Sequence, residues 1–130
     1  MDIMERIKST VESAPIVLFM KGTPEYPMCG FSGRTVKALS SVGASFVSIN
    51  VLEDPEIRAN LPRFSNWPTF PQLFIGGELI GGCDITVELL ESGELQRISV
   101  TSDGRVAATY SNGQVAALAE IAVAQFQADN

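Results

Sequence analysis

The sequence contains no histidine and only two cysteines among its 130 residues. Without imidazole the chain cannot perform Ser-His or Cys-His hydrolase chemistry, and it cannot build an imidazole metal site. Two thiolates are too few for a four-cysteine zinc or iron–sulfur site within one chain. They are also too few for a secreted disulfide scaffold, which favours a reducing, cytoplasmic compartment. Any sulfur-ligated cluster would therefore need ligands from outside the chain.

Long apolar runs and basic clusters are also absent. No apolar stretch approaches the roughly 20 residues of a membrane span. The N-terminus lacks the basic start and unbroken apolar run of a signal peptide. The net charge is −6, and no basic cluster offers a surface for nucleic acid. We therefore expect neither a membrane nor a nucleic acid as a partner. The length indicates one domain, with room for a small appendage.

Hydrophobic periodicity predicts the element order αβαβαββα. The predicted helices cover residues 2–13, 30–42, 54–61 and 84–90, and the predicted strands cover residues 16–20, 46–51, 72–75 and 78–80. Asp54 and Asp84 are candidate N-caps, and Gly43 and Gly93 are candidate C-terminal stops. This order predicts an α/β fold with a mixed four-stranded sheet flanked by helices on both faces.

The pattern changes after Arg97. Residues 98–100 and 106–110 alternate like strands around turn signals, and residues 114–126 have the apolar spacing of a helix. We therefore predict a domain over residues 1–97 and an appended tail over residues 98–130, built as a β-hairpin followed by a helix.

Cys29 is the strongest candidate for chemistry, because it follows a strand and a Pro-rich loop and opens a helix. A dithiol redox motif would have a second cysteine where this chain has Ser32. The thiol must therefore find a partner elsewhere: a small thiol, a metal cluster or another protein. Unpaired N–H groups at the helix start lower the pKa of such a thiol, and Lys21 can add a positive charge. The alternative is a small, buried and inert cysteine.

A second candidate site is the segment Trp67-Pro68-Thr69-Phe70-Pro71. Proline is tolerated at the first residue of a strand, where Pro71 stands. A cis bond before it would turn the Phe70 backbone toward the Cys29 loop and present an N–H and a C=O to an extended peptide. Spacing alone favours the commoner trans form.

A third candidate site is the segment Gly81-Gly82-Cys83-Asp84. Its glycines allow close approach of a ligand, and free amides at a helix start suit a carboxylate. The alternatives are a plain N-cap for Asp84 and a small core residue for Cys83. Arg58, on the third predicted helix, can bind a carboxylate bidentately or can simply be solvated.

Taken together, these segments resemble the monothiol glutaredoxins. The matching residues are 21–24, 27–32, 57–58, 65–73 and 77–85, and the resemblance extends from the N-terminus to about Gln96. It implies a thioredoxin-like fold. It also implies that Cys29 ligates a [2Fe-2S] cluster shared by two protomers, with two glutathione molecules donating the remaining thiolates.

The resemblance also implies that five residues of this chain bind glutathione. They are Lys21, Arg58, the backbone of Phe70 beside a cis Pro71, and the backbone groups of Cys83 and Asp84. The resemblance implies a homodimer bridged by the cluster and a role in iron–sulfur cluster assembly, storage or transfer. A BolA-type partner and iron–sulfur client proteins are further implied, with at most a weak glutathione-dependent oxidoreductase activity.

Two other functions remain open. The protein could reduce glutathione mixed disulfides through Cys29, with glutathione or Cys83 resolving the intermediate. It could instead be a non-catalytic interaction module whose tail covers the site. The tail departs from the family, in which a helix continues at this point. Residues 101–106, 109–114 and 118–122 of the tail resemble a segment of flagellar hook proteins.

Overall fold

The computed structural model describes residues 2–101, with side chains through Ile98. Its elements are α1 (Ile3–Val11), β1 (Ile16–Met20), α2 (Gly30–Ser41), β2 (Val47–Asn50), α3 (Pro55–Ser65), β3 (Gln72–Ile75), β4 (Glu78–Gly81), α4 (Cys83–Ser92) and α5 (Glu94–Thr101). The predicted strand over 106–110 and the predicted helix over 114–126 lie outside the described residues. None of the helices within residues 2–101 has the length and apolarity needed to cross a membrane.

The four strands form one mixed sheet in the order β2-β1-β3-β4. Strand β1 is parallel to β2 and antiparallel to β3, and β3 is antiparallel to β4. Every residue of the inner strands β1 and β3 is buried. A strand covered on both faces is predominantly apolar, which explains the unbroken run of apolar residues in β1.

Alternate residues of β1 enter two separate cores. Leu18 packs into a cluster that also contains residues of α2, α4 and α5. Phe19 packs into a cluster with residues of α1 and α3. Because successive side chains of a strand point to opposite faces, one strand can anchor both helical layers. The predicted mixed four-stranded sheet with helices on both faces is confirmed.

The boundaries of α3 and α4 differ from their predictions, and α1 and α2 end one or two residues earlier than predicted. Helix α3 passes Pro62 and continues to Ser65, although proline is disfavoured inside a helix, and the preceding residue Leu61 is fully buried in the core. Helix α4 starts at Cys83 with Gly82 as its N-cap, so the N-cap prediction for Asp84 was wrong. The extended backbone of Gly82 starts the helix one residue earlier.

The strand predicted over residues 98–100 was also wrong. Those residues lie in α5, and Leu95 and Ile98 are only 0% and 3% exposed within the core cluster. Residues three apart share a helix face, so both can pack on α4 and the sheet, and this packing overrides the strand propensity of the segment. The helix continues past the predicted boundary at residue 97, and the limits of the appended tail stay a prediction.

Candidate functional site

One groove brings together all the site residues predicted from the sequence. It has a volume of about 920 Å³ and is lined by Lys21, Cys29, Phe31, Arg58, Pro62, Trp67, Pro68, Thr69, Phe70, Pro71, Gly82, Cys83, Asp84 and Ile85. Four parts of the fold contribute to it: the end of β1, the start of α2, α3 with the loop before β3, and the start of α4. The groove therefore lies where two helix N-termini meet the end of the central strand.

A tight loop carries the chain from β1 back to the start of α2. The N–H of Met28 donates to the carbonyl of Lys21 over 2.9 Å. Gly22 has a φ of 94°, and a Cβ at this position would lie 2.5 Å from the carbonyl oxygen of Tyr26. Only glycine fits such a conformation and such a close approach. The closed loop places Cys29 next to Lys21.

Cys29 is the N-cap residue of α2 and is half-buried, so its thiol is not sealed in the core. The sulfur does not accept a hydrogen bond that would cap the helix. The backbone N–H of Ser32 nevertheless lowers the pKa of Cys29, with help from the N–H of Phe31, the Ser32 hydroxyl and the charge of Lys21, against an opposing effect of burial. Amide donors at a helix start favour the anion in this way.

Ser32 has a structural role that sequence reasoning missed. Its side chain is 0% exposed, and its Oγ accepts a 3.1 Å hydrogen bond from the backbone N–H of Lys21. In the sequence, Ser32 stands out only as the place of an absent thiol. In the structure it joins the end of β1 to the first turn of α2. The burial of Ser32 and its bond to Lys21 are features of the tertiary structure, so no local sequence signal indicated this role.

The peptide bond between Phe70 and Pro71 is cis, so the trans form favoured by spacing alone was wrong, and the cis form implied by the family pattern is present. The loop before this bond is tied down by Gln72, which sequence reasoning also missed. Its Nε2 donates to the carbonyls of Trp67 and Thr69 over 2.9 and 3.1 Å. The signal in the sequence was a glutamine between Pro71 and the apolar run of the strand.

The start of α4 packs closely against this loop. A Cβ on Gly82 would lie 3.2 Å from the carbonyl oxygen of Pro71 and 3.4 Å from Nε1 of Trp67. The backbone N–H groups of Cys83 and Asp84 lie in the first helical turn, where an α-helix has no internal partner for them. They are therefore available to a carboxylate in the groove. The Cys83 thiol itself is buried.

Lys21 and Arg58 supply the positive charge of the groove. Within residues 2–101, neither side chain forms an ion pair with a carboxylate. The described residues contain no cluster of three or more His, Cys, Asp or Glu side chains able to hold a metal. The groove thus combines one activated thiol, two cations and free backbone amides, a set suited to a small acidic peptide that carries a thiol.

A mixed four-stranded sheet, helices on both faces and a cis-proline opposite a cysteine at a helix start define a thioredoxin-like fold. The family model that matches the chain is Glutaredoxin, over residues 16–80. The chain is 54% identical over 98 residues to "Glutaredoxin 4" of Buchnera aphidicola subsp. Acyrthosiphon pisum, covering 75% of this chain and 91% of that protein. It is 50% identical over 95 residues to "Glutaredoxin 4" of Escherichia coli K12, covering 73% and 83%.

Solved structures give the same result. Reduced poplar apo GrxS14 is 53% identical with a TM-score of 0.62, covering 72% of this chain and 85% of that one. The holo form of glutaredoxin C1 from Populus tremula x tremuloides is 30% identical with a TM-score of 0.71, covering 79% and 91%. A buckwheat glutaredoxin–glutathione complex is 30% identical with a TM-score of 0.66, covering 75% and 87%. The chain belongs to the glutaredoxin family. The family and fold predicted from the sequence are confirmed.

Proposed function

We propose that this protein is a monothiol glutaredoxin that binds glutathione and carries a [2Fe-2S] cluster through Cys29. Its role would be cluster assembly, storage or transfer in the cytoplasm. The observation that carries this proposal is the convergence on one groove of Cys29, free backbone amides and two cations that form no ion pair within residues 2–101. Relatives named "Glutaredoxin 4" and a neighbour solved with glutathione support it.

Glutathione has two carboxylates, an extended peptide backbone and a thiol, and each finds a matching group in the groove. Lys21 and Arg58 would pair with one carboxylate, and a guanidinium can do so bidentately. The amides of Cys83 and Asp84, at the start of α4, would receive the other. The backbone of Phe70 would hydrogen-bond to the peptide. Bound in this way, the thiol of glutathione would lie beside the sulfur of Cys29.

The number of thiolates available supports a cluster shared between two protomers. A [2Fe-2S] cluster takes four sulfur ligands, and Cys29 is the only cysteine of this chain that is not buried. Two protomers would therefore supply two thiolates, and two bound glutathione molecules would supply the others. The cluster would be the cargo of the protein, and the lowered pKa of Cys29, caused mainly by the backbone N–H of Ser32, would favour the thiolate form that ligates iron.

Apolar side chains next to Cys29 support a partner on this face. Tyr26, Met28 and Phe31 are 77%, 68% and 56% exposed. Large apolar residues exposed together favour contact with another protein. A second copy of the chain would cover them in the cluster-bridged homodimer. A BolA-type partner or an iron–sulfur client protein would replace that copy during cluster transfer.

A second candidate function is reduction of glutathione mixed disulfides. The Cys29 thiolate would attack the glutathione sulfur of R–S–S–G, forming a Cys29–S–S–G bond and releasing RS⁻. A second glutathione thiolate would then attack that bond, releasing glutathione disulfide and restoring the Cys29 thiolate. The lowered pKa of Cys29, due first to the Ser32 backbone N–H, favours this attack. Cys83, being 6% exposed, is less accessible as an internal resolving thiol.

Anaerobic reconstitution with iron, sulfide and glutathione tests the proposed function. We expect a coloured dimer with visible absorption, and a colourless monomer when glutathione is omitted. Cys29→Ser should stay colourless. The double variant Cys29→Ser/Ser45→Cys is the matched control, because it restores the thiol count at an exposed position. It should also stay colourless. A coloured Cys29→Ser variant would remove the basis of the proposal.

A further inference from the structure

Gln72 is a fully buried amide whose contacts the proposed chemistry does not use. It is 0% exposed at the first position of β3 and pairs with Phe19 across the sheet. Both hydrogens of its Nε2 are committed to loop carbonyls, those of Trp67 and Thr69. Its Oε1 is buried and accepts no hydrogen bond within the described part of the chain. The position thus uses only the donor half of the amide.

These two hydrogen bonds fix the direction of a peptide plane that faces the groove. The carbonyl of Thr69 and the N–H of Phe70 belong to the same peptide unit, which is planar and trans. In a trans unit the C=O and the N–H point in opposite directions. Because the Thr69 oxygen points at Gln72, the Phe70 N–H points away from the strand. That N–H makes no hydrogen bond within residues 2–101.

We propose that Gln72 is a positioning residue for the peptide ligand: by holding the Thr69 carbonyl inward, it holds the Phe70 N–H outward as a donor in the groove. The inference rests on the proposed binding of glutathione along the Phe70 backbone. It assigns to a buried strand residue the control of a ligand contact that the residue does not make itself. Pro68 has no N–H, so of the two carbonyls that Gln72 holds, only that of Thr69 shares its peptide unit with an N–H.

Hydrogen exchange of the unliganded wild-type protein tests the orientation without any variant. We expect the Phe70 amide to exchange rapidly, because it faces the groove without a partner. Saturation with reduced glutathione under anaerobic conditions should protect it. A Phe70 amide that is protected before ligand is added would overturn the proposal, because the N–H would then already be bonded inside the protein.

Two near-isosteric variants then test the donors. Gln72→Met keeps the volume without polar atoms, and Gln72→Glu keeps the shape with at most one donor, the O–H of a protonated carboxyl, in place of two. We expect each variant to weaken the binding of reduced glutathione by about two- to tenfold, which is the effect of losing one hydrogen bond between protein and ligand. In an amide-resolved NMR titration, the shift change on saturation should shrink most at Phe70. If both variants bind within error of the wild type, Gln72 only fills space and the inference is wrong.

The matched control is Leu73→Ala, the next residue of β3. Leu73 is also 0% exposed and lies in the core cluster. The Leu73→Ala variant should lower the urea midpoint of unfolding at least as much as the Gln72 variants do. It should leave the affinity for glutathione unchanged. Equal loss of affinity in this control would overturn the proposal, since it would show an effect of stability alone. A wild-type protein that fails to bind glutathione would instead contradict the proposed function, and the free-state exchange of Phe70 would still report on the orientation.

Discussion

The backbone N–H of Lys21 donates a 3.1 Å hydrogen bond to the Oγ of Ser32. A hydroxyl that accepts one hydrogen bond still has its own proton to donate. The nearby acceptor that matters is the sulfur of Cys29, whose pKa is lowered first by the backbone N–H of Ser32 and in smaller part by this hydroxyl. The serine that replaces a second thiol therefore supports the first one.

The variant Ser32→Ala should raise the pKa of Cys29 without returning it to its ordinary value. The backbone N–H of residue 32 is the largest cause of the lowered pKa and survives the substitution, whereas the hydroxyl is lost. At a pH below the pKa in both proteins, alkylation of Cys29 by iodoacetamide should be roughly two- to tenfold slower in the variant. The rate measured across pH gives the pKa directly.

The matched control for this substitution is Ser41→Ala, at the far end of α2, where the hydroxyl bonds only to the carbonyl of Ala38. Its alkylation profile should coincide with that of the wild type. An unchanged profile for Ser32→Ala would mean that the hydroxyl proton does not face Cys29.

The variant Gly22→Ala should destabilise the protein by about 1–3 kcal/mol. The residue has a φ of 94°, and the added Cβ would meet the Tyr26 carbonyl oxygen at 2.5 Å and the Met28 nitrogen at 2.6 Å. The clash could be relieved only by opening the loop that holds Cys29 next to Lys21. Urea unfolding measures the loss. Gly30→Ala is the control, because a Cβ there meets no atom within 4 Å. If the two variants were equally stable, the loop would be looser than the structure describes.

The variant Ile98→Ala should lower the free energy of unfolding by about 2–5 kcal/mol, as expected for a buried side chain that leaves a cavity. Ile98 is 3% exposed in the cluster that joins the sheet to α2, α4 and α5. Exposed Glu91, on α4, serves as the control, and Glu91→Ala should change stability by no more than about 0.5 kcal/mol. A neutral Ile98→Ala would restore the view that the domain ends near residue 97.

Much of the site could be predicted from the sequence because its parts are local. The loop glycine, and the helix-capping aspartate outside the groove, each have a conformational preference that does not depend on distant residues. Asp54 illustrates this: it accepts from the N–H of Ile57 as the predicted N-cap, with Pro55 in the first turn.

The contacts that support the site were not predictable in the same way. Gln72 holds carbonyls of residues three and five positions earlier in the chain, and this requires the turn between them to be known. Ser32 accepts from Lys21 eleven residues away, across the gap between a strand and a helix. Both side chains are polar, so composition alone would place them on the surface.

By itself, the sequence determined the number of thiols and the apolar runs of strands β1 and β3. It also determined that a helix starts at Asp54 and that another ends at Gly93. These follow from covalent structure and from preferences within a few residues. Only the tertiary structure decided that the Phe70–Pro71 bond is cis, that α4 starts at Cys83, and that residues 98–100 are helical. The reason is that each of these alternatives lies close in local energy, and packing between distant elements selects one of them.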